Sequence, residues 1–118
     1  MKVTIFHNPR CSKSRQTLQL LEEKDLKANI VEYLNEPPSR ETLEQVLAHL
    51  NMGPRDLMRK NETVYKELNL ADPSLSRDDL ITAMLANPIL IERPIVIVDD
   101  KKVALGRPPE NVLQIIES

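Results

Sequence analysis

The stretch KVTIFHNPRCSKSRQTLQLLEE (Lys2–Glu23) decides the fold. Its opening, KVTIF, reads as a strand, and NPR turns the chain. Ser14, Leu18 and Leu21 then recur at helical spacing between Ser12 and about Glu23. ANIVEYL (Ala28–Leu34) follows as a second strand. Strand, helix and strand in that order predict a right-handed parallel unit.

Beyond this unit the pattern turns helical. Ser39 can cap a helix whose inner face is Leu43, Val46, Leu47 and Leu50. Pro54 suits the first turn of a short segment ending near Arg59. Ser76 with Asp79 resembles a capping box ahead of Leu80, Ile81, Met84 and Leu85. IVIV (Ile95–Val98) has the unbroken β-branched run of a strand buried on both faces. DDKK predicts a hairpin turn, VAL a returning strand, and Pro108 the start of a last helix with Val112, Ile115 and Ile116 inward. The order β-α-β, several helices, β-β-α is an α/β class. It is the thioredoxin plan, a mixed sheet with a helical insertion at about residues 39–87, and 118 residues suit a single domain.

Composition narrows the function. Sixteen basic against eighteen acidic side chains leave a formal charge of −2, so no global field draws the chain to nucleic acid or to a membrane. Any anion site must be local. The N-terminal run reads as a strand and not as a leader, and no apolar run nears the roughly 20 residues of a membrane span. One cysteine cannot form an internal disulfide, and two distant histidines cannot complete a metal cluster with it. A reducing cytoplasm fits, with no metal expected. Nucleotide and flavin motifs are missing: there is no GxGxxG and no P-loop, and Gly53 and Gly106 are the only glycines.

Cys11 falls where the first strand has ended and the first helix begins. Unpaired N–H groups and the helix dipole favour negative charge there, so the thiol pKa is expected below the free value of about 8.5. Ser12 and Ser14 offer hydroxyls, and Arg10, Lys13 and Arg15 add positive charge. The competing role for a lone cysteine is that of a small buried hydrophobe. Spacing restricts the chemistry. A tyrosine-phosphatase cradle needs five residues between Cys and Arg, whereas Arg15 follows Cys11 after three, and Ser14 stands where a CxxC motif would hold its second cysteine. A disulfide must therefore form with another molecule and be cleared by a thiol-exchange partner.

HNPRCSKSR (His7–Arg15) resembles the His-Asn-Pro-x-Cys-x-x-Ser-Arg signature of the glutaredoxin-coupled arsenate reductase (ArsC) family. The likeness continues in order through RKNE (Arg59–Glu62), IERPIVI (Ile91–Ile97) and GRPPE (Gly106–Glu110). The resemblance implies a thioredoxin-like fold that reduces arsenate to arsenite. It assigns the nucleophile to Cys11, thiolate support to His7 and Ser14, and oxyanion binding to Arg59, Arg93 and Arg107. Asn8 and Arg15 belong to the same signature as structural residues, and Pro94 takes the cis-proline position facing the nucleophile. Arg55 competes with Arg59, which only RKNE aligns. His7 is expected to help as an imidazolium, and the Ser14 hydroxyl, one turn beyond Cys11, to reach the sulfur. Guanidinium groups suit the paired oxygens of a tetrahedral anion.

The implied mechanism needs no bound cofactor. Glutathione is the co-substrate, glutaredoxin the protein partner, and arsenate or a similar oxyanion the substrate. Two alternatives share the motif: a glutathione-dependent thiol oxidoreductase with another substrate, and an Spx-type regulator that binds RNA polymerase. The usual CxxC switch of the latter is broken here by Ser14.

Overall fold

The computed structural model describes residues 1–116. Four strands, β1 (Val3–Phe6), β2 (Ala28–Val31), β3 (Ile95–Val98) and β4 (Lys102–Leu105), form one sheet in the order β2-β1-β3-β4. β1 and β2 run parallel, joined through helix α1 (Ser12–Glu23), as expected for the opening unit. β3 lies antiparallel to β1, with Phe6 opposite Ile95 and Ile5 opposite Val96. β4 returns antiparallel to β3, with Ile95 opposite Leu105 and Val98 opposite Lys102. This is the mixed sheet of the thioredoxin plan.

The described chain divides into two compact units, one of residues 1–36 with 93–116 and one spanning Pro37–Glu92. In the first, alternation along β1 sends Val3 and Ile5 into a core with Leu21, Val96, Val98, Ala104 and Val112. Helix α1 buries Ser14, Thr17 and Leu21, so its inward stripe carries two polar residues at the end nearest Cys11. At its other end Asp25 takes a left-handed φ of 59°, and the Leu26 N–H reaches the Leu21 carbonyl at 3.0 Å, closing a Schellman motif. The β3–β4 turn has positive φ at both Asp99 and Asp100, with the Lys101 N–H donating to the Val98 carbonyl. Two positive φ values mark a primed turn, whose twist matches that of the strands.

The second unit holds α2 (Arg40–Leu50), α3 (Thr63–Glu67), α4 (Arg77–Ala86) and 3-10 turns at Pro54–Leu57 and Pro88–Leu90. The Ser39 hydroxyl accepts from the Thr42 N–H, and Ser76 with Asp79 forms the expected capping box. α2 and α4 pack together through buried Leu43, Val46, Leu47, Leu80, Ile81 and Met84. The insertion expected at about 39–87 extends to Glu92. Met58 pairs with Ile91, and the Glu92 N–H donates to the Leu57 carbonyl at 2.8 Å, which ties the segment after α4 to this unit.

Three local expectations shift. β2 ends at Val31 and not Leu34, because the N–H groups of Asn35 and Glu36 both fold back onto the Glu32 carbonyl. The last helix is a 3-10 turn at Pro109–Val112 followed by α5 (Leu113–Ile116). α3 has no counterpart in the sequence reading: five residues with none fully buried leave no periodic signal. Ile5 is fully buried at the centre of the first unit's core. Replacing it with alanine should cost about 2–5 kcal/mol of unfolding free energy, measured by urea denaturation.

Candidate active site

The site is built where β1 hands over to α1. Asn8 organises that turn: its side-chain oxygen accepts the Arg10 N–H at 3.0 Å, and its carbonyl accepts the Cys11 N–H at 3.0 Å. Arg15 donates from Nη1 to the Pro9 carbonyl at 2.9 Å, bracing the same loop from the helix side. Cys11 is thereby set as the N-cap of α1 in extended backbone, and its carbonyl accepts the first helical bond from Arg15. The residue is only 9% exposed, so its thiol stands at the rim of the interior.

Burial by itself pushes the Cys11 thiol up. The Ser14 amide, the Arg93 guanidinium through hydrogen bonding and charge, and the Lys13 amide outweigh it and hold the thiol below its ordinary value. Arg107 adds the same sign of charge, with Nη2 3.6 Å from the sulfur. Opposite unit charges about 4 Å apart near a protein surface attract by about 4 kcal/mol. A hydrogen bond to a charged group contributes about 1.5–3 kcal/mol, so the Ser14 amide and the guanidinium charge act on a similar scale.

The two arginines meet through the hairpin. Ile95 pairs with Leu105, so Arg93 and Arg107, each two residues outside that pair, come face to face beyond the end of the ladder. Arg107 Nε donates to the Arg93 carbonyl at 2.7 Å, which aims its remaining guanidinium nitrogens at Cys11. Arg93 Nε and Nη1 are buried and make no hydrogen bond. Buried donors without a partner are costly, and here they sit beside a thiolate. Each such N–H can donate to an oxygen of an anion bound there. The Arg93–Pro94 bond is cis, as the resemblance implied for Pro94, and so is Arg107–Pro108.

His7 and Ser14 lie together but act differently from the sequence expectation. Ser14 is fully buried; its hydroxyl accepts the Asn8 N–H at 3.0 Å and contacts His7 Nδ1 at 2.7 Å. It is the Ser14 amide, not the hydroxyl, that acts on the sulfur. His7 is held below its ordinary pKa because burial outweighs the nearby Glu32 carboxylate, with Arg15 adding to the depression. Burial thus works against the expected imidazolium, and the pair secures the loop.

Arg59 belongs to the second unit, where its N–H donates to the Leu90 carbonyl and its guanidinium pairs with Glu62 at 3.2 Å and Glu92 at 3.9 Å. Arg55, its competitor in the sequence, spends Nε on the Leu70 carbonyl and Nη2 on the Asp72 carbonyl. That clamp gives Arg55 a structural duty. Among the described residues no group of three or more His, Cys, Asp or Glu side chains could hold a metal ion, and no helix is long and apolar enough to cross a membrane.

The ArsC family model matches residues 6–115, from the end of β1 into α5. The chain belongs to the ArsC family. Its sequence is 53% identical to the uncharacterized protein YfgD of Escherichia coli K12, over 98% of this chain and 97% of that one. It is 44% identical to an arsenate reductase of Neisseria meningitidis serogroup B, over 98% of each chain. Among solved structures, an arsenate reductase from Vibrio cholerae superposes with a TM-score of 0.92 at 48% identity, covering 98% of both chains. The fold of this ArsC-family chain is thioredoxin-like.

Gly106 had no sign in the sequence beyond its place in GRPPE. A Cβ there would meet Thr17 Oγ1 at 2.6 Å and Pro94 Cγ at 2.8 Å, so only glycine lets β4 pass this close to α1. Gly106→Ala should lower the thermal midpoint and slow Cys11 alkylation at pH 7 together. In the unaltered protein, alkylation rate against pH should show a midpoint below the free-cysteine value of about 8.5. The cations favour the thiolate, so Arg93→Ala should move that midpoint upward.

Proposed function

We propose that this chain reduces arsenate to arsenite through a covalent intermediate on Cys11, with glutathione and glutaredoxin supplying the electrons. The single observation that carries the proposal is the Arg107 Nη2–Cys11 Sγ contact of 3.6 Å beside two buried, unpartnered N–H groups of Arg93. A thiolate with cationic, donor-rich surroundings is equipped to attack a bound oxyanion and to stabilise charge on its oxygens during attack. The family relationship and the relatives bearing the arsenate reductase name support the choice of arsenic over other central atoms.

In the proposed sequence, the Cys11 thiolate attacks arsenic and displaces water or hydroxide, forming a sulfur–arsenic bond. A glutathione thiol adds to the same arsenic with loss of a second water. A glutaredoxin thiolate then attacks the glutathione sulfur. The glutathione–arsenic bond breaks with its electron pair left on arsenic, reducing it from the pentavalent to the trivalent state, while the two thiols are oxidised to a mixed disulfide. Water finally displaces Cys11 and arsenite leaves. The external reductant follows from the lone cysteine, since this chain has no second thiol to resolve the adduct. The resemblance gives Arg59 a share in holding the oxyanion.

Turnover should appear when purified protein, arsenate, glutathione and glutaredoxin are coupled through glutathione reductase and NADPH loss is followed. Cys11→Ser should abolish it, and residual activity in that variant would remove Cys11 from the mechanism. Arg93→Ala and Arg107→Ala should each lower kcat/KM by about 10²-fold, the usual loss for one oxyanion-stabilising donor. Arg59→Ala should raise the KM for arsenate.

A further inference from the structure

Asn111 sits in the 3-10 turn Pro109–Val112, half-buried, four residues beyond Arg107. Its side-chain Nδ2 donates to the Arg107 carbonyl at 3.0 Å and to the Leu105 carbonyl at 3.3 Å. Both partners are acceptors, so only the NH₂ end of the amide can face them. One amide therefore grips the backbone on either side of Gly106. The opposite side of the same bend is closed as well: the Gly106 N–H donates to the Pro94 carbonyl at 2.9 Å, and Thr17 fills the space where a Cβ would project. The Arg107 side chain leaves this bend to reach the Arg93 carbonyl and the Cys11 sulfur.

We propose that Asn111 is a positioning residue for Arg107, holding the 105–107 bend so that the guanidinium stays against the Cys11 sulfur. Asn111 contacts neither sulfur nor oxyanion in this role; it acts through the backbone from which Arg107 springs. A hydrogen-bonded cation is sensitive to displacement by even an ångström, and alignment of reacting groups carries a large share of rate. The effect on turnover rests on the arsenate reductase reading above, while the effect on the thiol does not.

The test compares the full-length protein with Asn111→Ala, Arg107→Ala and the double variant, reading the pH midpoint of Cys11 alkylation and kcat/KM for arsenate. Asn111→Ala should raise the midpoint by part of the Arg107→Ala shift and lower kcat/KM about tenfold. In the Arg107→Ala background, removing Asn111 should change either readout by less than about twofold, since the group it positions is already gone. Additive losses, or a lower thermal midpoint with an unchanged alkylation profile, would overturn the proposal and leave Asn111 a stabilising residue only. Asn111→Ser lacks the same donors and serves if the alanine variant does not fold. Failure of the wild-type protein to turn over arsenate would remove the arsenate reductase reading, yet the alkylation comparison would still decide the role of Asn111.

Discussion

The register of the β3–β4 hairpin is the constraint on which the site depends. With Ile95 opposite Leu105, the residues two places outside the pair are both arginines, and they have to meet. The bond from Arg107 Nε to the Arg93 carbonyl fixes that meeting in a definite geometry. Pairing of β3 with β1 then brings the hairpin's open end to the end of β1 that leads into the Cys11 turn, through Phe6 opposite Ile95. A one-residue slip would turn every side chain of β4 to the other face and separate the two guanidiniums. The close approach at Gly106 lets β4 lie near enough to α1 for Arg107 to reach the sulfur.

At the sulfur, two opposed effects compete. Withdrawal from water favours the neutral thiol, while backbone amides at the helix start and the guanidinium charge favour the thiolate. The second group wins because charge-assisted hydrogen bonds and cationic attraction act together on a partly buried sulfur. The chain as a whole is slightly acidic, so this positive focus is a local construction. Its two main cations, Arg93 and Arg107, are remote from the cysteine in sequence and are brought close by sheet topology.

The handover from β1 to α1 is held by small polar groups. Ser14 accepts an N–H from Asn8 and meets His7, and burial disfavours the charged form of that histidine. The Glu32 carboxylate opposes that effect only in part. The same reliance on short polar side chains recurs across the fold. Among the described residues, the five with positive φ, Asp25, Asn51, Asn69, Asp99 and Asp100, are all Asp or Asn, which tolerate the left-handed region better than other non-glycine residues. A chain with only two glycines is thereby able to end helices and turn its hairpin, and it keeps Gly106 for close packing.

The element order, the parallel opening unit, the hairpin and the caps at Ser39 and Ser76 were legible because each is set by local signals: period, β-branched runs and capping chemistry. So was the helix-start seat of Cys11, and the motif blocks marked Arg93 and Arg107 at the ends of the hairpin. The sequence could not say which atom of Ser14 faces the sulfur, that burial works against a charged His7, or that Asn111 grips the backbone beneath Arg107. Nor could it separate Arg55 from Arg59, whose guanidiniums differ in the partners that hold them. Those questions turn on desolvation and on distances of a few tenths of an ångström between residues remote in the chain. Local pattern carries no record of either; only the packed tertiary structure fixes them.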